Sequence, residues 1–272
     1  MSKLKIFCMS VRNLEVLNKL PSYITPFGLG KNIYSDTWLQ ENKGDTINEY
    51  NKFFGEATGM YWIWKNLIKN FNENDWIGFC QYRRLWLNDL FEEKQKYNFS
   101  SVYSKLLNKD NQIFDKAESI LLQPTVFSKD TLFQQFDKIY GENILYDCLN
   151  LIEDEKEKNN FENYLKNNSI SICNMFVTKP KYFVSYCKSM FNWIFKCYDF
   201  CKRKNLLNGH NTRLPIFLVE RYTSFWFHNH TNVKYLSFAR LGNFFLSNKI
   251  NKFINPLKLP FTFRNYPTIH KF

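Results

Sequence analysis

Short apolar runs alternate along this chain with longer segments of helical periodicity. The runs cover residues 4–9, 76–80, 119–122 and 170–177. Their lengths and their polar or turn-forming flanks are typical of buried strands. The helical segments include residues 56–69, where apolar residues recur every three or four positions, and a long aromatic segment that starts at Pro180. This alternation predicts an α/β fold with a central mixed, mostly parallel sheet flanked by helices.

The composition is that of a globular protein with a large core. Of the 272 residues, 44% are apolar, which suits one large domain or a domain with an appendage. No stretch approaches the roughly 18 uncharged apolar residues that span a bilayer, and residues 1–9 lack the cleavage pattern of a secretory signal. The seven cysteines are odd in number and fall in apolar runs, so we expect reduced core residues. These features predict a cytoplasmic protein.

The positive charge is concentrated toward the C-terminus. Of the net charge of +12, eight units come from basic residues after Glu220, where no acidic residue stands, so residues 1–220 carry 12 − 8 = +4. Phenylalanines are interleaved with these basic residues. We therefore predict a domain over residues 1–230 and a basic, aromatic-rich segment over 231–272 that binds an anionic membrane surface at the inner face of the plasma membrane. The alternative is that the segment packs on the domain or on a second subunit.

Two adjacent arginines follow one of the predicted strands directly. Residues 81–84 read Gln-Tyr-Arg-Arg, and in open α/β sheets ligands bind at the carboxyl ends of strands. A guanidinium is a planar multiple donor that suits phosphate oxygens, so Arg83 and Arg84 predict a nucleotide diphosphate ligand. The alternative is a salt bridge to an acidic helix. The P-loop, GxGxxG, HExxH and GxSxG motifs are absent from the sequence, which removes support for several large enzyme classes.

Glu220 is the leading candidate for a proton acceptor. It lies among apolar residues of a predicted helix, next to Arg221, and such surroundings can tune a carboxylate for proton abstraction. The alternative is a structural ion pair between the two neighbours.

Six sequence strings, taken in order, resemble a known family. They are KIFCMS at residues 5–10, Gly-Asp at 44–45, GEATGMYWIWKN at 55–66, DWIGFCQYRR at 75–84, CNMFV at 173–177 and RLPIFLVERY at 213–222. Together they are similar to a bacterial glycosyltransferase-like family, long labelled a domain of unknown function, that is found in capsule and lipopolysaccharide gene clusters. Some of its members are described as galactofuranosyltransferases. The resemblance covers about the first 230 residues.

The resemblance implies a GT-A-like nucleotide-sugar-binding fold and marks a set of pocket residues. The implied donor-binding residues are Ser10, Arg12, Asp45, Tyr82, Arg83, Arg84 and Asn174, and the implied catalytic residues are Glu220, Asp45 and Glu56. Two features depart from the family pattern. Gln81 stands where the family usually has histidine, and no Asp-x-Asp motif follows the strand. The sequence therefore leaves metal dependence open.

The resemblance implies a hexosyltransferase-type glycosyltransferase. The expected donor is a UDP-sugar, with UDP-galactofuranose as one form, and the expected acceptor is a capsular or lipopolysaccharide glycan, which can be lipid-linked. A carboxylate would deprotonate the acceptor hydroxyl while cationic groups stabilise the departing diphosphate. One alternative is a non-catalytic nucleotide-sugar or glycan-binding relative, which Gln81 and the missing Asp-x-Asp motif favour. Another is a nucleic-acid-binding protein, disfavoured because no such motif is present and the charge is mostly in the C-terminal segment.

Overall fold

The computed structural model describes residues 2–90 and 102–240. The strands are β1 (Leu4–Ser10), β2 (Ile24–Gly28), β3 (Leu39–Gln40), β4 (Trp76–Gln81), β5 (Arg84–Trp86), β6 (Ser119–Leu122), β7 (Thr125–Val126), β8 (Ser169–Ile170), β9 (Phe176–Thr178), β10 (Val233–Leu236) and β11 (Phe238–Arg240). The helices include α1 (Asn51–Phe54), α2 (Ala57–Asn66), α3 (Ile113–Lys116), α4 (Leu132–Tyr140), α5 (Ile144–Leu149), α6 (Glu155–Leu165), α7 (Pro180–Arg203) and α8 (Leu214–His230). The predicted α/β class is confirmed.

The central sheet is mixed and mostly parallel. Its strands lie in the order β10-β6-β9-β4-β1-β2-β3, and β5 joins β4 to β11. The pairs β4–β1, β1–β2, β2–β3 and β10–β6 are parallel, whereas β9 runs antiparallel to both of its neighbours. The parallel pairs bring the carboxyl ends of β1, β2 and β4 to one edge of the sheet.

Both faces of the sheet are covered, which explains why β1 and β4 are nearly continuous apolar runs. Phe7, Met9 and Phe79 pack on one face against α2, α7 and α8. Ile6 and Cys8 pack on the opposite face in a second core cluster. All seven cysteines are free and buried, as the sequence predicted.

The helix start predicted at Pro180 is confirmed, and a second proline stands in the first turn of α8. α7 begins at Pro180, and α8 has Pro215 in its first turn. The missing N–H of proline costs nothing there, because the first helical N–H groups have no partner within the helix. The changing charge of residues 129–165 predicts one or two solvated helices. The structure instead has three there, and each buries an apolar face in the core.

The predicted strand at residues 170–177 is interrupted. The chain forms β8, then turns through Cys173 and Asn174, and resumes as β9. Cys173 and Asn174 have φ angles of 74° and 49°, which extended strands do not adopt.

Residues 233–240, which the sequence placed in the C-terminal segment, form strands of the central sheet. β10 pairs with β6, and β11 pairs with β5. The predicted membrane contact falls mainly on residues 241–272, which lie outside the described residues. Within residues 2–90 and 102–240, no helix is both long and apolar enough to cross a membrane.

Candidate functional site

A cleft of about 280 Å³ opens at the carboxyl ends of β1, β2 and β4. Parallel strands commonly place ligand sites at this edge. The residues lining the cleft are Met9, Val11, Leu29, Asn51, Lys52, Gly55, Glu56, Gln81, Tyr82, Arg83 and Arg213. The sheet register explains how distant parts of the sequence meet there, because Met9 pairs with Gln81 and its carbonyl accepts a hydrogen bond from the Tyr82 N–H at 3.0 Å.

The segment that follows β4 supplies Arg83 to the cleft, which Lys52 and Arg213 also line. Arg83 lines the cleft and is partly buried, and its guanidinium lies 5.4 Å from the centre of the Tyr82 ring. Burial lowers the pKa of Arg83, and the charges of Arg84, Arg240 and Arg12 lower it further, although Tyr82 opposes them. In the described part of the chain, Arg83 forms no ion pair with an acidic side chain. The geometry therefore favours an external anion over the alternative of a structural salt bridge.

Arg84 is held more rigidly than Arg83. It is 8% exposed, and its Nη1 donates to Gln81 Oε1 at 2.5 Å. Its guanidinium also lies 5.9 Å from the centre of the Phe238 ring. These contacts fix Arg84 beneath the segment that carries Arg83.

Gln81 connects Arg84 to an acidic group. Its Nε2 donates to Glu56 Oε1 at 3.2 Å and to the Cys173 carbonyl at 2.9 Å. An amide can accept at one end and donate at the other, as a neutral imidazole can, but it cannot gain a proton at neutral pH. At this position Gln81 can therefore orient Glu56 and Arg84 but cannot serve as an acid or base.

Glu56 directly precedes α2 and faces the cleft. Its Oε1 accepts from Gln81 and, at 3.1 Å, from Asn174 Nδ2, while its Oε2 lies 3.9 Å from Arg213 Nη2. The start of a helix favours negative charge, because its first N–H groups point outward. Glu56 is thus a positioned carboxylate that can accept hydrogen bonds from a ligand.

The turn at Cys173 and Asn174 joins the two carboxylates of the site. The Cys173 N–H donates to Glu220 Oε1 at 2.5 Å, and the Asn174 side chain bridges from Glu56 to Thr223 on α8, whose hydroxyl donates to Asn174 Oδ1 at 3.1 Å. Two successive non-glycine residues with positive φ are costly and persist only where surrounding contacts hold them. The strained turn is therefore held by its hydrogen bonds to Glu56 and Glu220, and it fixes the positions of both carboxylates.

Glu220 lies partly buried on α8 at the back of this turn. Burial raises its pKa, and the nearby Glu56 charge adds to the rise, whereas Arg221, the Cys173 N–H and Arg84 oppose it. Arg221 does not form an ion pair with Glu220. Its guanidinium hydrogen-bonds Gln135 and lies over the Phe136 ring. The contacts therefore do not support the alternative of a structural ion pair between these neighbours.

The structure does not bring two of the predicted site residues to this cluster. The Ser10 side chain is fully buried, and its hydroxyl donates to the Arg12 carbonyl and accepts from the Arg12 N–H, so it closes a turn. Asp45 is exposed, and its carboxylate accepts from the Tyr61 hydroxyl while its backbone bonds to Asn66. Asn66 ends α2, about 15 Å along the helix from its start near Glu56.

Glu41 is a buried carboxylate near the cleft that no sequence motif marks. It is fully buried, and its Oε1 accepts from the Gly30 N–H at 2.6 Å and from the Thr58 hydroxyl at 2.9 Å. Its Oε2 has no hydrogen-bond partner among the residues that the structure describes. Burial raises the pKa of Glu41 to about 7, the two hydrogen bonds oppose the rise and the Glu49 charge adds to it. Glu41 therefore links Gly30, which follows β2 and the cleft residue Leu29, to Thr58 on α2.

Tyr34 is a second residue that the sequence did not single out. Its hydroxyl donates to the Leu29 carbonyl at 2.6 Å, accepts from the Leu29 N–H, and lies 3.0 Å from the Ser10 carbonyl. The ring fits over Gly28, where an added Cβ would lie 2.3 Å from the nearest ring atom. Tyr34 therefore ties the ends of β1 and β2 together beneath the cleft.

No group of three or more histidine, cysteine, aspartate or glutamate side chains in residues 2–90 and 102–240 is arranged to hold a metal ion. The acidic run at residues 153–155, which resembles Asp-x-Asp in composition, starts α6, where Asp154 accepts from the Glu157 N–H at 2.9 Å. Asp154 therefore caps the helix, while its neighbours Glu153 and Glu155 pair with Lys196 and Lys158.

Comparisons with known proteins agree with this architecture. A family described as "Domain of unknown function (DUF4422)" matches residues 5–232. Among solved structures, the WbbM bifunctional glycosyltransferase in its apo form is similar, with a TM-score of 0.71 and 19% sequence identity over 89% of this chain. The match covers 46% of the WbbM chain, so this chain spans about half the length of that protein. At this identity the likeness shows a shared fold. No curated protein sequence matches.

Proposed function

This chain belongs to the DUF4422 family, and we propose that it is a glycosyltransferase that moves a sugar from a nucleoside-diphosphate donor to a glycan acceptor. The observation that carries the proposal is the joint placement of Arg83 and Glu56 in one cleft at the carboxyl ends of parallel strands. The fold that the chain shares with a bifunctional glycosyltransferase supports it. In the proposed reaction Arg83 binds the anionic leaving group, and Glu56 accepts hydrogen bonds from sugar hydroxyls.

The donor in this proposal is a UDP-sugar. Arg83 and Arg84 supply the positive charge that stabilises the diphosphate as the bond to the sugar breaks, since donors fixed in place are most effective where negative charge develops. The resemblance to galactofuranosyltransferases makes UDP-galactofuranose one form of the donor, and a capsular or lipopolysaccharide glycan the acceptor.

The proposed reaction is a displacement at the anomeric carbon. The acceptor oxygen forms a bond to that carbon, the bond from carbon to the diphosphate oxygen breaks, and the diphosphate leaves with the electron pair. Glu220 takes the proton of the acceptor hydroxyl. Its raised pKa makes it a stronger proton acceptor than an ordinary glutamate, as general base catalysis requires. Glu56 accepts hydrogen bonds from a sugar hydroxyl and so positions the reactants.

UDP should raise the melting temperature of the protein, since a ligand that binds only the folded state stabilises it. Arg83→Ala should weaken UDP binding about 10- to 100-fold, the usual effect of removing a charge-assisted hydrogen bond. Calorimetric titration measures the affinity. Arg203→Ala is the matched control, because Arg203 is exposed at the end of α7 and does not line the cleft. If Arg83→Ala and Arg84→Ala both fold and bind UDP like the parent, the donor assignment is wrong.

A non-catalytic sugar-binding relative is the second candidate, because Gln81 stands where the similar family usually has a histidine. The two candidates differ in one measurement. An enzyme releases UDP from its donor, by transfer or by slow hydrolysis, whereas a binding protein leaves the donor intact over the same time.

We also propose that the C-terminal segment attaches the protein to an anionic membrane surface, and the support comes from sequence alone. Each lysine or arginine near such a surface contributes about 1 kcal/mol to the free energy of membrane binding, and aromatic side chains insert at the interface. The full chain should therefore co-sediment with vesicles containing phosphatidylserine and release as salt is raised, because salt screens the attraction. A chain that lacks residues 241–272 should not co-sediment. Equal binding by both forms would contradict the proposal.

A further inference from the structure

An arginine beyond the family match lies opposite Arg84, one of the two arginines that follow β4. Arg240 lies on β11, directly opposite Arg84 on the antiparallel strand β5. The family match ends at residue 232, before β11 begins. Phe238, also on β11, packs against the Arg84 guanidinium, so side-chain contacts as well as backbone pairing join the two strands.

Arg12 approaches the same place from β1. β1 and β4 run side by side and end together, with Met9 paired to Gln81. Arg12 follows Met9 by three residues, and Arg83 follows Gln81 by two. The turn that the Ser10 hydroxyl closes with the Arg12 backbone fixes the path of the chain there.

Gathering these guanidinium groups is unfavourable without a ligand. Like charges placed directly opposite each other on paired strands destabilise the pair, and the charges of Arg84, Arg240 and Arg12 all act on Arg83. None of Arg12, Arg83 and Arg240 forms an ion pair within residues 2–90 and 102–240. An arrangement of this kind is stabilised when a multiply charged anion binds it.

We propose that Arg240 completes a four-arginine diphosphate site with Arg12, Arg83 and Arg84. The proposal rests on the proposed function, and it adds a binding residue that the family match does not include. A diphosphate has two phosphate groups, and each can accept paired hydrogen bonds from planar guanidinium groups. A single phosphate has too few oxygens to engage all four arginines in this way. The site should therefore distinguish a diphosphate from a monophosphate.

The test compares parent and Arg240→Gln protein, with Arg203→Gln as the control that removes one exposed arginine elsewhere. The probes are UDP, UMP, uridine and inorganic pyrophosphate, measured by calorimetric titration at one fixed salt concentration. Arg240→Gln should weaken UDP and pyrophosphate about 10- to 100-fold, weaken UMP by less, and leave uridine unchanged. Arg203→Gln should bind every probe like the parent. The pyrophosphate arm separates the anion site from contacts to the nucleoside.

The melting temperature without ligand gives a second readout. A merely structural Arg240 would lower it when replaced, whereas relief of repulsion with Arg84 should leave it equal or higher. If Arg240→Gln does not fold, Arg240→Lys keeps the charge but loses the planar fork, and it should bind UDP several-fold more weakly than the parent.

Two outcomes would overturn the proposal in distinguishable ways. If the Arg240 variants bind pyrophosphate and UDP like the parent while Arg83→Ala loses both, Arg240 is outside the site and the proposed function stands. If the parent binds neither UDP nor pyrophosphate, both the diphosphate site and the proposed UDP-sugar donor are wrong.

Discussion

Glu220→Gln should lower turnover about 100-fold or more, which is within the usual contribution of a general base. Glutamine keeps the shape of the side chain and can still accept the hydrogen bond from the Cys173 N–H, but it cannot take a proton from the acceptor. Affinity for UDP should stay close to that of the parent. Initial rates with a saturating donor and an acceptor glycan measure turnover, and titration measures UDP affinity.

The pH dependence of the parent gives an independent check of the same role. Burial and the nearby Glu56 charge raise the pKa of Glu220, so the carboxylate form that accepts a proton becomes dominant only at higher pH than for an ordinary glutamate. Turnover should therefore rise with pH through that raised pKa and then level off. The residual activity of Glu220→Gln should lack this rise.

Glu56→Gln is the matched comparison, since it makes the same chemical change on the other carboxylate of the site. Glu56 contacts the reactants in our proposal, so its loss should raise KM as well as lower turnover. Near-parental turnover in Glu220→Gln together with a large loss in Glu56→Gln would transfer the role of base to Glu56. A loss of stability in Glu220→Gln, with unchanged activity per folded molecule, would instead show that Glu220 is structural.

The strands that the sequence predicted are those buried on both faces. Every residue of β4 except Gln81 is buried, and β1 is buried apart from Lys5, so each reads as a nearly continuous apolar run. β2 was missed because Pro26 and Gly28 are typical of turns. Pro26 is tolerated because β3 pairs only with Phe27 and Gly28, which leaves no ladder bond on that side that would need the missing N–H of Pro26.

The C-terminal strands β10 and β11 were missed for a different reason. The basic residues after Glu220 stood out in composition, and the alternation of Val233 to Leu236 was too short to outweigh them. Such a strand gains its stability from the neighbour it meets in space, here β6. That partner is more than a hundred residues away in the sequence, and local patterns carry no information about it.

Site residues that follow strands were predictable from the sequence. Site residues that lie in loops were not. Arg83, Arg84 and Gln81 follow a strand, and the direction of a strand fixes where its end lies. Asp45 lies in a turn-rich loop between β3 and α1, where local sequence does not encode the path of the chain. Glu41 was overlooked in the same region because a charged residue among turn residues is usually exposed, and only the folded loop reveals its burial.

Glu41 should make the protein less stable as the pH rises. Its pKa is about 7 in the folded protein against 4.5 for the ordinary group, so the folded state binds more protons than the unfolded state between these values. The stabilisation is complete below about pH 4.5 and is lost as the pH rises through about 7. This group alone should lower the free energy of unfolding by about 2 kcal/mol between about pH 5.5 and pH 8.

Comparison with Glu41→Gln isolates this contribution from those of the other titrating groups. Glutamine is neutral like the protonated acid, and its oxygen can still accept from the Gly30 N–H and the Thr58 hydroxyl. Denaturant unfolding should show the variant close to the parent at about pH 5.5 and more stable by about 2 kcal/mol at about pH 8. Glu49→Gln removes only the nearby charge, and it should change the pH profile slightly. Parallel profiles for parent and Glu41→Gln would mean that Glu41 ionises normally, and that water reaches the oxygen that has no partner in the structure.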